Sequence, residues 1–285
     1  MANNVNQIVT DRIVAEMEKG IIPWNKPWFG SKTAAISRST GKPYSLLNQM
    51  LLGRPGEYAT FDQIKKAGGK VRKGEKASLV TFWKQVKIET EEVDPETGKP
   101  IEKLVPMLRY YQVFNLDQCE GIEPKFYKAE EIEHTDPIAE AEAVIDNYIA
   151  ASHVKFESRL SDEAYYSPVF DNVVVPIIDQ YKNPEEYYST AFHELTHSTG
   201  HRSRLNRFTG NAAHAAFGSS EYSKEELVAE LGSAFLMNHC GINTEATERN
   251  SAAYLQAWLK ALKSDANMIV SAASKAEKAA DYILA

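Results

Sequence analysis

Residues 183–200 read NPEEYYSTAFHELTHSTG and place two histidines and a glutamate where one bound metal can use all three. His193 and His197 are four apart, so on a helix both imidazoles leave one face, with Glu194 one step round it. The spacing works only on a helix, and the neighbouring residues predict one independently. Asn183 is a good N-cap, Pro184 suits the first helical position, and Glu186 stands where it completes a capping box. Tyr188, Phe192 and Leu195 form an apolar stripe at helical spacing, and Gly200 is a natural terminator.

A catalytic zinc normally takes three protein ligands and keeps one position open, so the pair needs a third partner. The pattern in which a third histidine follows the glycine by three residues fails, because that position is Ser203 and His201 is displaced. The alternative is Glu226 in SKEELVAELGSAFL, carried by a second amphipathic helix on which Glu226 and Glu230 share a face. There Glu230 would support a histidine from behind. A competing reading remains open, because Ser223 and Glu226 also have the spacing of a capping box.

The 285 residues are ample for two domains, and a composition 43% hydrophobic and 25% charged is that of a folded chain. No apolar run is long enough to span a membrane, and the amphipathic, acid-containing N-terminus does not read as a signal peptide; a cytoplasmic protein without a membrane partner is expected. Cys119 and Cys240 lack metal-ligand spacing and are expected to be buried thiols. The net charge of −7 conceals an asymmetry. Residues 1–88 carry 15 Lys and Arg against 6 Asp and Glu, whereas the remainder carries 17 against 33. Only the first part should meet a polyanion.

That part interleaves rings with cations. Trp24, Lys26 and Trp28 fall in a proline-punctuated loop, Arg38 and Tyr44 follow, and Lys70, Arg72 and Lys73 surround glycines ahead of a strand bearing Trp83. A groove that tracks phosphates while bases stack on rings needs this mixture, so a single-stranded nucleic acid is the expected partner. No segment reads as a duplex-reading motif. An acidic hairpin follows near residues 89–104, a linker near 130, and then a helix and three strands ahead of the metal-site helix. The expected fold is α+β in two domains. Residues 1–130 form a small basic single-stranded-DNA-binding domain, expected to bind the strand even as a fragment; residues 131–285 form a zincin-like, gluzincin-type metallopeptidase domain.

Read together, WNKPW, TFDQIKKAGGKVRKGEK, YYQVFNLDQCEG, FHELTHSTGH and EELVAELGSAF make the chain resemble the ArdC-type antirestriction proteins of conjugative plasmids over nearly its whole length. The resemblance implies non-specific binding of single-stranded DNA, a metallopeptidase domain and protection of incoming plasmid DNA from host restriction. Through Glu226, Ala229 and Glu230 the second part is also similar to ImmA/IrrE-type and other gluzincin peptidases. It implies His193, His197 and Glu226 as ligands of zinc, or of another divalent metal such as manganese. Glu194 would be the general base in hydrolysis of a protein or peptide substrate. The alternatives are a regulatory zinc peptidase and a DNA-coating protein whose protease domain is silent or blocked.

Overall fold

Apolar stripes on helices at both ends of the chain decide the architecture, because they bury against one another. The computed structural model describes residues 5–25, 35–93, 100–127, 137–208, 220–242 and 252–285. The first part contains α1 (Val5–Met17), β1 (Ala35–Ser37), α2 (Leu46–Leu52), β2 (Gly56–Ala59), α3 (Phe61–Lys66), β3 (Lys70–Val71), β4 (Ser78–Val93), β5 (Pro100–Asn115) and β6 (Cys119–Glu120). β1 runs parallel to β2, and the sheet order is β1-β2-β5-β4, with β4 at the edge; β3 and β6 form a separate antiparallel pair. The expected hairpin is present as a long two-stranded ribbon, in register from Ser78↔Val113 to Glu89↔Glu102. Thr60 and Gln63 close the capping box of α3 reciprocally, at 3.3 and 2.9 Å.

The second part contains α4 (Pro137–Ser152), β7 (Lys155–Arg159), β8 (Tyr165–Ser167), β9 (Asn172–Pro176), α5 (Pro184–Ser198), α6 (Ser220–His239), α7 (Ala252–Ser264) and α8 (Met268–Leu284). β9 lies centrally, parallel to β7 and antiparallel to β8. Beneath this sheet, Val173 and Val175 pack with Tyr188, Phe192 and Leu195 of α5, Ile145 and Tyr148 of α4, and Leu236 of α6. Cys119 and Cys240 are buried free thiols, as expected, and burial pushes the Cys240 thiol up to about 12.

A second core joins the two parts. Val9, Ile13 and Met17 of α1, Trp24, and Leu46, Leu47, Met50 and Leu51 of α2 pack with Leu227 and Leu231 of α6, Leu262 of α7 and Ile269 and Ala273 of α8. Helix α6 contributes to both cores, through Leu227, Val228, Leu231 and Ala234 to one and Leu236 and Met237 to the other. The expected boundary near residue 130 therefore crosses a shared core, and cutting there would strip α1 and α2 of their covering helices. That linker position, in residues 128–136, lies outside the described residues. Among the described residues, no helix is long and apolar enough to cross a membrane.

A candidate metal centre and an aromatic face

Asn183 caps α5 by accepting from the Glu186 backbone N–H at 2.9 Å, and Pro184 follows as the first helical residue. The helix therefore begins where the motif needs it. Its other end is buckled down: Tyr148 and Ser198 hydroxyls meet at 2.8 Å, Arg204 Nε donates to the Ser198 carbonyl at 2.8 Å, and Arg204 pairs with Asp171. Gly200 ends the helix without a left-handed turn. Its lack of a side chain instead admits the Phe208 ring, which would stand 2.7 Å from a Cβ there.

Facing α5 is α6, drawn close by one absent side chain. A Cβ on Gly232 would lie 2.5 Å from Thr196 Cγ2, so only glycine permits this separation. Ser233 Oγ donates to the Ser189 carbonyl at 2.8 Å beside it. Because α6 begins at Ser220, Ser223 sits inside its first turn rather than ahead of it, which removes the capping-box reading of Glu226.

The close approach brings His193, His197 and Glu226 together, with one ligand atom from each within 4.8 Å of the others. Glu226 Oε2 stands 3.4 Å from His193 Nε2, and Glu226 Oε1 stands 3.4 Å from His197 Nε2. A tetrahedral metal with bonds of about 2.0–2.2 Å separates its ligand atoms by about 3.3–3.6 Å, which both carboxylate–imidazole spacings match, so this donor set suits a divalent cation. Behind the ligands, the outward nitrogens face carboxylates: His193 Nδ1 lies 3.8 Å from Glu230, and His197 Nδ1 lies 3.5 Å from Glu225. Each carboxylate favours a proton on Nδ1 and leaves Nε2 as the donor atom.

Glu225 was not foreseen in the sequence, and neither was its anchor. Arg207 Nη2 donates to Glu225 Oε1 at 2.7 Å, while Nη1 reaches Thr199 Oγ1 at 2.6 Å. Its guanidinium thus ties the carboxylate behind His197 to the end of α5. Charge follows geometry. Burial alone would lower the His197 pKa, but hydrogen bonds to Glu225 and Glu226, with Glu194 nearby, carry it up to about 10. Burial would raise Glu226 and Glu225, yet the two histidines hold Glu226 well below the usual carboxylate range, and His197 with Arg207 lowers Glu225. Glu194 is buried on the same helix. His201, by contrast, is engaged with Ser203 at 2.7 Å.

The predicted nucleic-acid residues divide. Trp24 is 0% exposed and belongs to the shared core, so neither face of its ring is open to a base; its assignment as a stacking platform is corrected. Lys26 and Trp28 lie outside the described residues. Arg38 donates to the buried Glu57 carboxylate at 2.5 Å and to the Glu123 carbonyl at 2.8 Å. Glu57 also accepts from the backbone N–H groups of Lys125, Phe126 and Tyr127, which makes Arg38 first of all a structural cation. Arg72 donates to the Asp117 carbonyl, Lys70 pairs with Glu120, and Lys73 is exposed. Trp83 is 58% exposed on β4. With half-buried Tyr44 it lines a cleft that also contains Phe82 and Tyr111, two rings overlooked in the sequence although the YYQVF run signalled the second.

The N-terminal domain of anti-restriction factor ArdC, as a family profile, matches residues 3–114, and the zincin-like metallopeptidase profile matches residues 143–275. The metal-free crystal structure of the antirestriction protein ArdC from plasmid R388 is similar with a TM-score of 0.73 and 35% identity, over 98% of this chain and 96% of that one. A Mn(II)-bound structure of the same protein gives 0.71 and 34%, over 98% and 97%. Uncharacterized protein y4eC of Sinorhizobium fredii is 31% identical over 98% of this chain and 91% of its own length. A protein named DNA primase TraC from Escherichia coli is 33% identical over 97% of this chain, which spans only 27% of TraC. The chain belongs to the ArdC family of antirestriction proteins, with an ArdC-type N-terminal region and a zincin-like C-terminal region.

Proposed function

We propose that this protein binds single-stranded DNA without sequence preference, cleaves a protein or peptide substrate at a zinc centre, and so protects incoming plasmid DNA from restriction in the cytoplasm. In this reading the polynucleotide-binding region extends to about residue 130 and the peptidase region follows it. The observation that carries the peptidase half is the convergence of His193, His197 and Glu226, with Glu225 and Glu230 behind the two imidazoles. Two imidazole nitrogens and one carboxylate are a donor set suited to zinc, and the Mn(II)-bound relative makes manganese the alternative.

A divalent cation held there would act as a Lewis acid towards a scissile carbonyl and favour ionisation of water. The chain supplies the rest. His193 and His197 present Nε2, held by the carboxylates at Nδ1, while Glu194 accepts a proton from the attacking water and returns it to the departing amine. Burial of Glu194 keeps that carboxylate from bulk water. Exposed rings on β4 and β5, and the occurrence of similar sequence within a protein named DNA primase, support the DNA half.

The test is antirestriction measured for Glu194→Gln beside Trp83→Ala, with strand binding and metal content followed in both. The proposal expects Glu194→Gln to keep its metal and its DNA binding while losing protection. If that variant still protects, the peptidase step is unnecessary and a DNA-coating role replaces it.

A further inference from the structure

The cleft that Tyr44 and Trp83 share has a volume of about 390 Å³, within the range of about 300–1,000 Å³ typical of small-ligand sites. One wall comes from the N-terminal region: Tyr44 and Ser45 ahead of α2, with Phe82 and Trp83 on β4 and Tyr111 on β5. The opposite wall comes from the far end of the chain, through Val270, Ser274 and Glu277 of α8. Phe82 and Tyr111 rings lie 5.2 Å apart and tilted, and Tyr44 stands edge-on to Tyr58, which fixes its ring. Burial, with Tyr111 beside it, pushes the Tyr44 hydroxyl up to about 12, so that wall stays uncharged.

Charge is distributed unevenly around this space. Glu277 stands on the α8 wall, held by the Leu46 backbone N–H at 3.1 Å. On the other side, Ser39 belongs both to the cleft and to an open depression lined by Arg38 and Lys66. An anionic phosphate is therefore repelled from the α8 side and attracted to the cationic side, while an uncharged planar ring is accepted between the aromatic side chains. We propose that the cleft takes one unstacked nucleobase of a single strand, with its backbone phosphate directed towards Lys66 in the adjoining depression. The base is thus held between the ArdC-type N-terminal region and α8, the helix that packs on the ligand-bearing α6. This rests on the single-strand reading above and deepens it by naming the site and the orientation of the nucleotide.

The test uses the full chain and a 15-residue oligothymidylate carrying one 2-aminopurine, whose emission is quenched when it stacks on an aromatic ring. Trp83→Ala removes a ring from one wall. Ser274→Trp, at an exposed position on α8, fills the cleft from the other wall without touching the N-terminal region. Base stacking of about 1–3 kcal/mol corresponds to roughly 5- to 150-fold in affinity, so each variant should weaken binding by that factor and restore emission. Lys66→Glu should lower affinity and flatten the salt dependence. Melting temperature and metal content serve as checks on folding. If the wild type binds and quenches while both cleft variants bind equally well, the nucleobase site is wrong although single-strand binding stands. If the wild type does not bind the strand at any salt concentration, both readings fall.

Discussion

The metal centre and the aromatic face differ in how they are built. Five side chains of the candidate centre lie on two helices, α5 and α6, so helix periodicity fixes their placement within each helix and one helix–helix contact completes the site. The cleft on the aromatic face draws residues from β4, β5, the segment before α2, and α8, and its character depends on which rings remain uncovered. Trp24 and Trp83 have the same side chain and similar cationic surroundings in the sequence, yet one is core and the other surface. A motif with a fixed repeat is readable from one sequence, whereas exposure depends on partners hundreds of residues away.

That contrast is sharpened most by exchanging the two tryptophans for alanine. Trp24→Ala should cost about 3–5 kcal/mol of stability, as expected for a large ring removed from a packed core. Trp83→Ala should change stability by no more than about 0.5 kcal/mol. Denaturant unfolding of both variants checks this, and equal losses would erase the distinction between core and face.

The next effect is within the centre. Glu225→Gln removes the carboxylate behind His197 and leaves Arg207 without its anionic partner, so metal affinity should fall about 10–100-fold, measured by competition with a chelating dye. An unchanged affinity would reduce Glu225 to a structural ion pair with Arg207.

The smallest effect expected is in the pH dependence of stability. In the metal-free protein the His197 pKa is about 10, above its ordinary 6.5, so its ion pairs contribute fully below about pH 6.5 and are lost as pH rises through about 10. Glu225 and Glu226 are shifted downwards, so their contribution is present above about pH 4.5 and disappears on acidification. From this cluster the metal-free chain should be most stable between about pH 4.5 and 6.5. Metal needs His197 neutral, so the gap in Tm between loaded and metal-free protein should widen as pH rises. A gap independent of pH would place the displaced proton elsewhere.

Much of this was legible in the sequence for identifiable reasons. Asn183, Pro184 and the His-Glu-x-x-His spacing set α5, and Thr60 with Gln63 set α3, because caps and periodicity act within a few residues. Glu226 was legible only as one of two readings. Ser223 offered a plausible cap, and only the earlier start of α6 at Ser220 removes it. Glu225 could not be chosen from spacing alone, because its partner His197 lies on another helix and their approach depends on Gly232. The shared core was hidden for the same reason. The amphipathic pattern of the N-terminal residues was visible, but such a pattern does not name the surface that covers it.

The central claim is that α6 supplies the third ligand, and metal content after dialysis tests it most directly. Glu226→Gln, His197→Ala and Glu230→Gln should be compared with the wild type by elemental mass spectrometry under identical conditions. The structure predicts a loaded wild type, empty Glu226→Gln and His197→Ala sites, and a Glu230→Gln site weakened about 10–100-fold, as for a residue acting through His193. Full occupancy in Glu226→Gln beside an empty His197→Ala site would contradict the account.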